Sequence, residues 1–397
     1  MTHILNKVII WATDNYNSLA MVRQIAQGDV KFDFIIHGKA NCTVRSKYIQ
    51  NYVETGSYED AYKYLMNHYK DEKAKPIILT SGDGIISFID QHRNDFLTYF
   101  IVPGTTTSGL ITRYNDKYEM TQLAQRHGII VPKSKQIKWD SDISDMPYPL
   151  MIKPSHEKPG LHNEFKFKVC HTKKELKQVL QYVHHDSVFI AQEKIDKEKD
   201  LLVYGARMFD GRVILAGSLE TERFATGQGS SYGQVHDAIP SCINVEGIKS
   251  FLSEIDYVGL FSFEYGLKDG IAYFFEVNLR NDGTSNFFFQ SGANIPLAYV
   301  YSCAGVNYSE VSLHVTEDRW YMDEIYDRIN VLQGNIEKKQ WEREREKVTA
   351  FKFYDKSDLE PYIIEKRGSI IRMYRDLFFY RYRIYILWLF SKFGIKK

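Results

Sequence analysis

Residues 1–110 alternate between short solid apolar runs and longer stretches with helical spacing. KVIIWATD (7–14) is an apolar run ending in polar residues, and the following stretch carries Leu19, Val22 and Ile25 on one helical face. FDFIIHG (32–38) predicts a second strand and YEDAYKYLMNHYKD (58–71) a second helix. KPIILTSGDG (75–84) predicts a third strand closing on a Gly-rich turn, and YFIVPG (99–104) a fourth. Strands separated by helices of this length predict an open parallel α/β sheet. Ligands of such sheets lie beyond the carboxyl ends of the strands, here Thr13–Asn15, His37–Gly38 and Thr80–Gly84. Taken singly, these are ordinary turn residues.

The pattern then changes. Residues 116–134 read as an amphipathic helix, a stop at Gly128 and a strand. PLMIKPS (149–155) and SVFIAQEKI (187–195) predict strands flanking the helix TKKELKQVLQYV (172–183). LLVYGARMF (201–209), VILAGSLETERF (213–224), GLFSFEYGL (259–267) and AYFFEVNLR (272–280) follow as further strands. Asp210-Gly211 and Asp269-Gly270 join them as hairpins, so this region is expected to be antiparallel α+β. FATGQGSSYG (224–233) reads as a Gly/Ser loop between strands. Beyond Gly305 the chain reads as helical and charged. The expected organisation is an α/β lobe over 1–112, a two-part domain over 113–310 (113–195 and 196–310), and a helical extension over 311–397.

Composition narrows the class. The 397 residues are 44% hydrophobic and 25% charged, ordinary for a soluble globular enzyme, which excludes a disordered or collagenous chain. The net charge of +1 provides no global basic field, so no nucleic-acid partner is expected. Cys42, Cys170, Cys242 and Cys303 form no CxxC or CxxH pair and read as reduced thiols. The N-terminal VIIWA is too short for a signal peptide, and no run reaches the ~20 apolar residues of a membrane span. A cytoplasmic location is the expectation.

Candidate chemistry sits on two strands. Glu264 lies in FSFEYG, and Glu276 and Asn278 lie two apart on AYFFEVN, with Arg280 two residues on. Period two puts Glu276 and Asn278 on one face, and the Asp-Gly hairpin brings Glu264 beside them. Two carboxylates and an amide oxygen suit Mg²⁺ (or Mn²⁺) holding phosphates, and Arg280 is placed for phosphate oxygens. The plainer alternative is a polar sheet face whose acids pair with Arg280. Lys153 ends an apolar strand and needs an anion if buried. Gln192-Glu193-Lys194-Ile195 leaves a strand, where backbone groups can read an adenine edge. Asp282–Asn286 read either as an anion-binding helix start or as ordinary capping.

In this order the residues resemble the ATP-grasp superfamily over 115–305, most closely its carboxylate–amine ligase branch, the D-aspartate ligase-like and carbamoyl-phosphate-synthase-like group. The resemblance implies ATP-binding roles for Lys117 and Lys153, with Glu193 and the backbone of Lys194 and Ile195 as the adenine hinge. It implies that Asp200 or Glu198 holds the ribose, that Glu264, Glu276 and Asn278 hold metal, and that Arg280 stabilises the transferred phosphoryl group. It further implies ATP and Mg²⁺ as cofactors, small-molecule carboxylate and amine substrates, and amide formation through an acyl phosphate, on a cell-envelope or capsule precursor among the options. The chain departs from the family at its phosphate-covering loop, SHEKPGLHNEF (155–165), which has one Gly and offers His156, Lys158 or His162 instead. Two other readings stay open: an ATP-binding regulatory or scaffold protein without ligase activity, and an ATP-grasp kinase or carboxylase.

Residues 366–397 hold nine Lys/Arg against one Asp, leaving 42 basic and 49 acidic residues elsewhere. Nine aromatics fall between Tyr374 and Phe393. This tail reads either as a helix packed on the body or on a homodimer partner, or, over 370–397, as a peripheral contact with the anionic inner membrane leaflet.

Overall fold

A computed structural model describes residues 4–28, 30–114, 116–155, 165, 167–225 and 229–369. The expectations for 156–164, for 226–228 and for the tail 370–397 therefore lie outside the described residues.

The N-terminal lobe is the expected parallel sheet. Strands β1 (Val8–Ala12), β2 (Phe32–His37), β3 (Tyr52–Thr55) and β4 (Ile77–Thr80) take the order β3-β2-β1-β4. They are interleaved with α1 (Tyr16–Ala26), α2 (Tyr58–Tyr69) and α3 (Asp83–Gln91). Local chemistry sets these starts. Asn15 accepts from the N–H groups of Asn17 and Ser18, while Ser18 Oγ accepts from Asn15 N–H, a reciprocal cap that begins α1 directly after β1. Ser57 caps α2 in the same position. One expectation is corrected here. Residues 99–104 are not a strand, because α4 (Arg93–Tyr99) runs into them and only Ile101 bridges Ile77. The fourth strand is instead 52–55, whose alternating pattern is short and partly exposed.

After α5 (Leu110–Tyr114) and α6 (Lys117–Arg126), the chain enters a four-stranded sheet. It is built from β5 (Ser134–Ile137), β6 (Leu150–Pro154), β7 (Lys168–Cys170) and β8 (Phe189–Glu193), in the order β5-β8-β6-β7, with α7 (Lys173–Leu180) packed on it. A seven-stranded sheet follows. It comprises β9 (Lys199–Arg207), β10 (Val213–Phe224), β11 (Ser230–His236), β12 (Gly259–Lys268), β13 (Ile271–Asn278), β14 (Arg319–Met322) and β15 (Val348–Phe351), in the order β13-β12-β9-β10-β11-β14-β15. Helices α8 (Val245–Glu254), α9 (Ser285–Gln290) and α10 (Ile295–Cys303) pack around it, and α11 (Arg328–Leu332) and α12 (Lys338–Lys347) lie between its last two strands.

Two further expectations change. The stretch after 311 is not wholly helical, since β14 pairs antiparallel with β11 and β15 pairs parallel with β14. The two strands are only four residues long, and the highly charged α12 between them masks the strand signal. Likewise the Gly/Ser stretch 224–233 is strand at both its ends, with β10 reaching Phe224 and β11 starting at Ser230.

One apolar core joins the N-terminal sheet to the seven-stranded sheet. Met21, Val22 and Ile25 of α1 pack with Leu297, Ala298 and Tyr301 of α10 and with Tyr204 and Leu260 below. Polar ties reinforce this joint. Arg23, 1% exposed, donates through Nε to Asp358 at 2.9 Å and through Nη1 to the Phe353 carbonyl at 2.8 Å. Ser46 Oγ also donates to Asp358, at 2.8 Å. The segment after β15 is thereby clamped to the N-terminal lobe. We expect Arg23→Met to destabilise the protein by ~3–5 kcal/mol, because it leaves Asp358 buried without its cation. The double variant R23M/D358N should lose less. Thermal and urea unfolding of the three proteins check this.

Candidate active site

The Asp269-Gly270 turn has positive φ at both positions (50° and 75°), the form that a two-residue hairpin requires. It pairs Lys268 with Ile271 and Tyr265 with Phe274. In that register Glu264 would face Phe275, and Glu276 would point to the other side of the sheet. A bulge at Phe275 shifts the register by one, so that Glu264 pairs with Glu276 and Ser262 with Asn278. Phe275 lies against Gly266, where a Cβ would come within 2.5 Å of the ring.

Glu264, Asn278, Arg280 and Ser262 form one hydrogen-bond network. Asn278 Nδ2 donates to Glu264 Oε1 at 2.9 Å and to Ser262 Oγ at 3.2 Å. Arg280 Nη2 donates to Asn278 Oδ1 at 3.0 Å, and its Nε and Nη2 together grip Asp83 at the start of α3. Ser262 Oγ donates to Asp282 at 2.9 Å. Burial first, then the charges of Glu276 and Asp282, push the Glu264 carboxyl up to about 8. Burial opposes the Arg280 charge, but Asp83, Asp282 and Glu264 more than offset it, and its pKa is raised. Three carboxyl groups, Glu264, Glu276 and Asp282, thus share the site with Arg280. One difference from the sequence reading concerns Asn278, whose amide nitrogen, not its oxygen, faces Glu264. Three-oxygen coordination requires the amide to turn over, which releases Arg280. Among the described residues, no group of three or more His, Cys, Asp or Glu side chains is gathered as a preformed metal cluster.

These residues line a cavity of about 350 Å³ between the N-terminal lobe and the seven-stranded sheet. Asn15, Tyr16 and Asn17 enter from the end of β1, and Ser81 from the end of β4. Asp200 lines it too, whereas Glu198 turns away to accept from the N–H of Asp269 at 3.2 Å. Of the two acids proposed for one role, the structure brings only Asp200 to the cavity. His37 does not line it; its ring stacks on Tyr58 at 4.2 Å. Thr13 accepts from Asn15 Nδ2 and so shapes the same turn. Asn281 fixes the lobes together beneath the site. It accepts from Tyr204 OH at 2.7 Å and donates to Asn17 Oδ1 at 2.6 Å.

Lys117, at the start of α6, and Lys153 and Glu193–Ile195, on or after strands of the four-stranded sheet, do not line this cavity. Lys153 Nζ donates to Gln192 Oε1 at 3.0 Å. Burial, and next the positive charge of Lys117, lower the Lys153 pKa to about 8, against the pull of Glu276. Asp116 caps α6 immediately before Lys117 and accepts from Ser155 Oγ at 2.7 Å, which holds the two lysine-bearing segments together. At the predicted hinge, the N–H groups of Glu193 and Lys194 donate to the carbonyls of Lys133 and Pro149. Ile195 follows directly after β8.

The Asp282–Asn286 stretch begins with an Asx turn and not with a side-chain cap: Thr284 is the N-cap of α9 and makes no side-chain capping hydrogen bond. Asp282 Oδ1 accepts from both the N–H and the hydroxyl of Thr284, and α9 is only six residues long. A carboxylate already occupies that position, so it repels an anion. The sequence reading placed Asp83 only within the strand-end stretch Thr80–Gly84 and missed Tyr16 and Lys352. Their one signal was position: Asp83 and Tyr16 follow β4 and β1, where ligands gather in parallel sheets. Lys352 comes from β15, a strand the pattern did not reveal.

No protein-family model matches the sequence. The chain is 23% identical over 256 residues to a D-aspartate ligase of Enterococcus faecium, an alignment covering 60% of this chain and 61% of the relative. It thus spans about three fifths of that relative's length. The fold is similar to N5-carboxyaminoimidazole synthetase from Staphylococcus aureus complexed with ADP (TM-score 0.64, 13% identity, 84% of this chain and 86% of that chain). It is also similar to L-amino acid ligase from Bacillus licheniformis (TM-score 0.60, 15% identity, 80% of each chain).

The lowered Lys153 pKa carries a prediction. A bound anionic phosphate would favour the protonated amine. Binding of a phosphate group at Lys153 should therefore take up a proton at pH 8–9 and weaken as the pH rises through about 8. Titration calorimetry in buffers of different ionisation enthalpy checks this, and Lys153→Met should abolish the uptake.

Proposed function

We propose that this chain, which has the ATP-grasp fold, is an ATP-dependent ligase that joins a carboxylate to an amine through an acyl phosphate, releasing ADP and phosphate. The observation that carries the proposal is the meeting of Asp200, Glu264, Glu276, Asn278 and Arg280 in one cavity, with the carboxyl ends of β1 and β4 facing them. An excess of carboxylate around Glu264 fits a divalent cation. Glu264, Glu276 and, after its amide turns, Asn278 would hold Mg²⁺. The ion would neutralise phosphate charge when bound.

In this reading ATP lies between the two antiparallel sheets. The Glu193–Ile195 segment faces adenine, Asp200 accepts the ribose hydroxyls, and Lys117 and Lys153 bind phosphate. The substrate carboxylate oxygen attacks the γ-phosphorus, forming a C–O–P bond as the bond to ADP breaks. Arg280 stabilises negative charge on the transferring phosphoryl group. The amine then attacks the acyl carbon, loses a proton and expels phosphate. Most of the rate comes from holding the reactants in line and keeping water away from the acyl phosphate. The D-aspartate ligase relative supports aspartate as a first candidate substrate. A cell-envelope acceptor is the corresponding choice of amine, or of the carboxylate partner, to screen.

Hydroxylamine, a general acceptor for acyl phosphates, tests the reaction without knowledge of the natural amine. Wild type should form hydroxamate and release phosphate in a carboxylate-dependent, Mg²⁺-dependent manner. Glu276→Gln should lower the rate at least ~100-fold, the scale for losing one electrostatic group of the reaction, while circular dichroism stays unchanged. Full turnover in that variant would remove Glu276 from the site.

A further inference from the structure

Among the described strands β13 is an edge, paired with β12 alone. Its outward N–H groups therefore need acceptors from outside the sheet. In a regular antiparallel strand such groups recur at every second residue. Here they lie three apart, because the bulge at Phe275 falls between them. Phe274 N–H donates to the Ile130 carbonyl at 2.8 Å, and Val277 N–H donates to Met120 Sδ at 3.3 Å. Without the bulge, the second outward N–H would be that of Glu276. The contact between Met120 and Val277 thus belongs to the bulged register alone.

The neighbour of Val277 is a helix. Met120, 3% exposed, sits on α6 in one core with Leu123, Phe274 and Leu279. The carbonyls of a helix are spent on its own ladder, as where Asp116 accepts from Met120 N–H at 3.0 Å. Only a side chain can then serve Val277, and methionine is one of the few core residues that carry an acceptor. A thioether is a weak acceptor. An N–H packed on an apolar helix face with no acceptor at all costs more than such a bond returns. With a hydrocarbon at position 120, β13 could escape that cost by expelling the bulge. Expulsion would turn Glu276 and Asn278 away from Glu264.

Resting on the metal-binding part of the ligase reading, we infer that Met120 is a positioning residue. By accepting the Val277 N–H, its thioether holds β13 in the register that sets Glu276 and Asn278 beside Glu264, and so sets the affinity of these side chains for a divalent cation. Met120 does not line the cavity. It acts through the backbone of the residue that follows Glu276.

Mn²⁺, followed by its electron paramagnetic resonance signal, is the metal probe, titrated with and without a nonhydrolysable ATP analogue. Met120→Leu nearly conserves side-chain volume and removes the acceptor. It should weaken Mn²⁺ binding roughly 3- to 10-fold, the range of one net hydrogen bond, and speed hydrogen exchange of the Val277 amide at least ~10-fold. Leu123→Val opens space in the same core but keeps the acceptor. It should lower stability and leave both readouts at the wild-type level. In a Glu276→Gln background, Met120→Leu should cost no further Mn²⁺ affinity. Unchanged Val277 exchange in M120L, an equal loss of metal in L123V, or a further loss in the Glu276→Gln background would overturn the inference. If wild type and M120L bind Mn²⁺ equally, the inference fails and the ligase reading stands. If M120L weakens Mn²⁺ binding but wild type forms no hydroxamate with any carboxylate, the positioning role stands and the ligase reading fails. A wild type that binds no Mn²⁺ in either condition overturns both.

Discussion

The extra residue at Phe275 decides the chemistry of this molecule. A tight Asp-Gly hairpin alone would leave Glu264 and Glu276 on opposite faces of the sheet. The bulge turns Glu276 and Asn278 onto the face of Glu264 and Ser262. Gly266 leaves the space that the Phe275 ring occupies, and Lys197 Nζ lies 5.5 Å from the centroid of the same ring. Everything at the site follows from that local shift. Two carboxylates opposed across a strand pair repel each other unless a proton, an arginine or a cation intervenes. Burial first, then the charges of Glu276 and Asp282, raise Glu264, while Asp83, Asp282 and Glu264 hold the Arg280 charge.

Charge then connects the bulge to the rest of the fold. Arg280 crosses to Asp83 on the N-terminal lobe, Asn281 bridges to Asn17, and Asp282 shapes the turn that wedges Tyr16. Three consecutive positions after the hairpin strand, 280–282, thus join the antiparallel sheet to the parallel one. The cavity exists because those ties hold the carboxyl ends of β1 and β4 over β12 and β13. In the ligand-free arrangement Arg280 is held by Asp83 and Asn278.

Much of this was legible in the sequence, and the exceptions have physical causes. The parallel lobe, both antiparallel sheets and the shared face of Glu276 and Asn278 follow from periodicity and an Asp-Gly turn. The bulge does not, because one inserted residue leaves the hydrophobic pattern of a strand almost unchanged while reversing the faces beyond it. The expected strand at 99–104 failed because an apolar run does not distinguish a buried strand from the end of a buried helix. Strands β14 and β15 were hidden by brevity and by the charged helix between them. With them went Lys352, whose part in the cavity depends on a sheet edge and a helix meeting across most of the domain.

The central claim is that a substrate carboxylate oxygen becomes bonded to the γ-phosphorus of ATP. The direct measurement uses a carboxylate substrate labelled with ¹⁸O in both oxygens, with the released phosphate analysed by mass spectrometry. The account predicts one ¹⁸O per phosphate released, left behind when the amine expels phosphate from the acyl carbon. Unlabelled phosphate would contradict it and identify water as the phosphoryl acceptor.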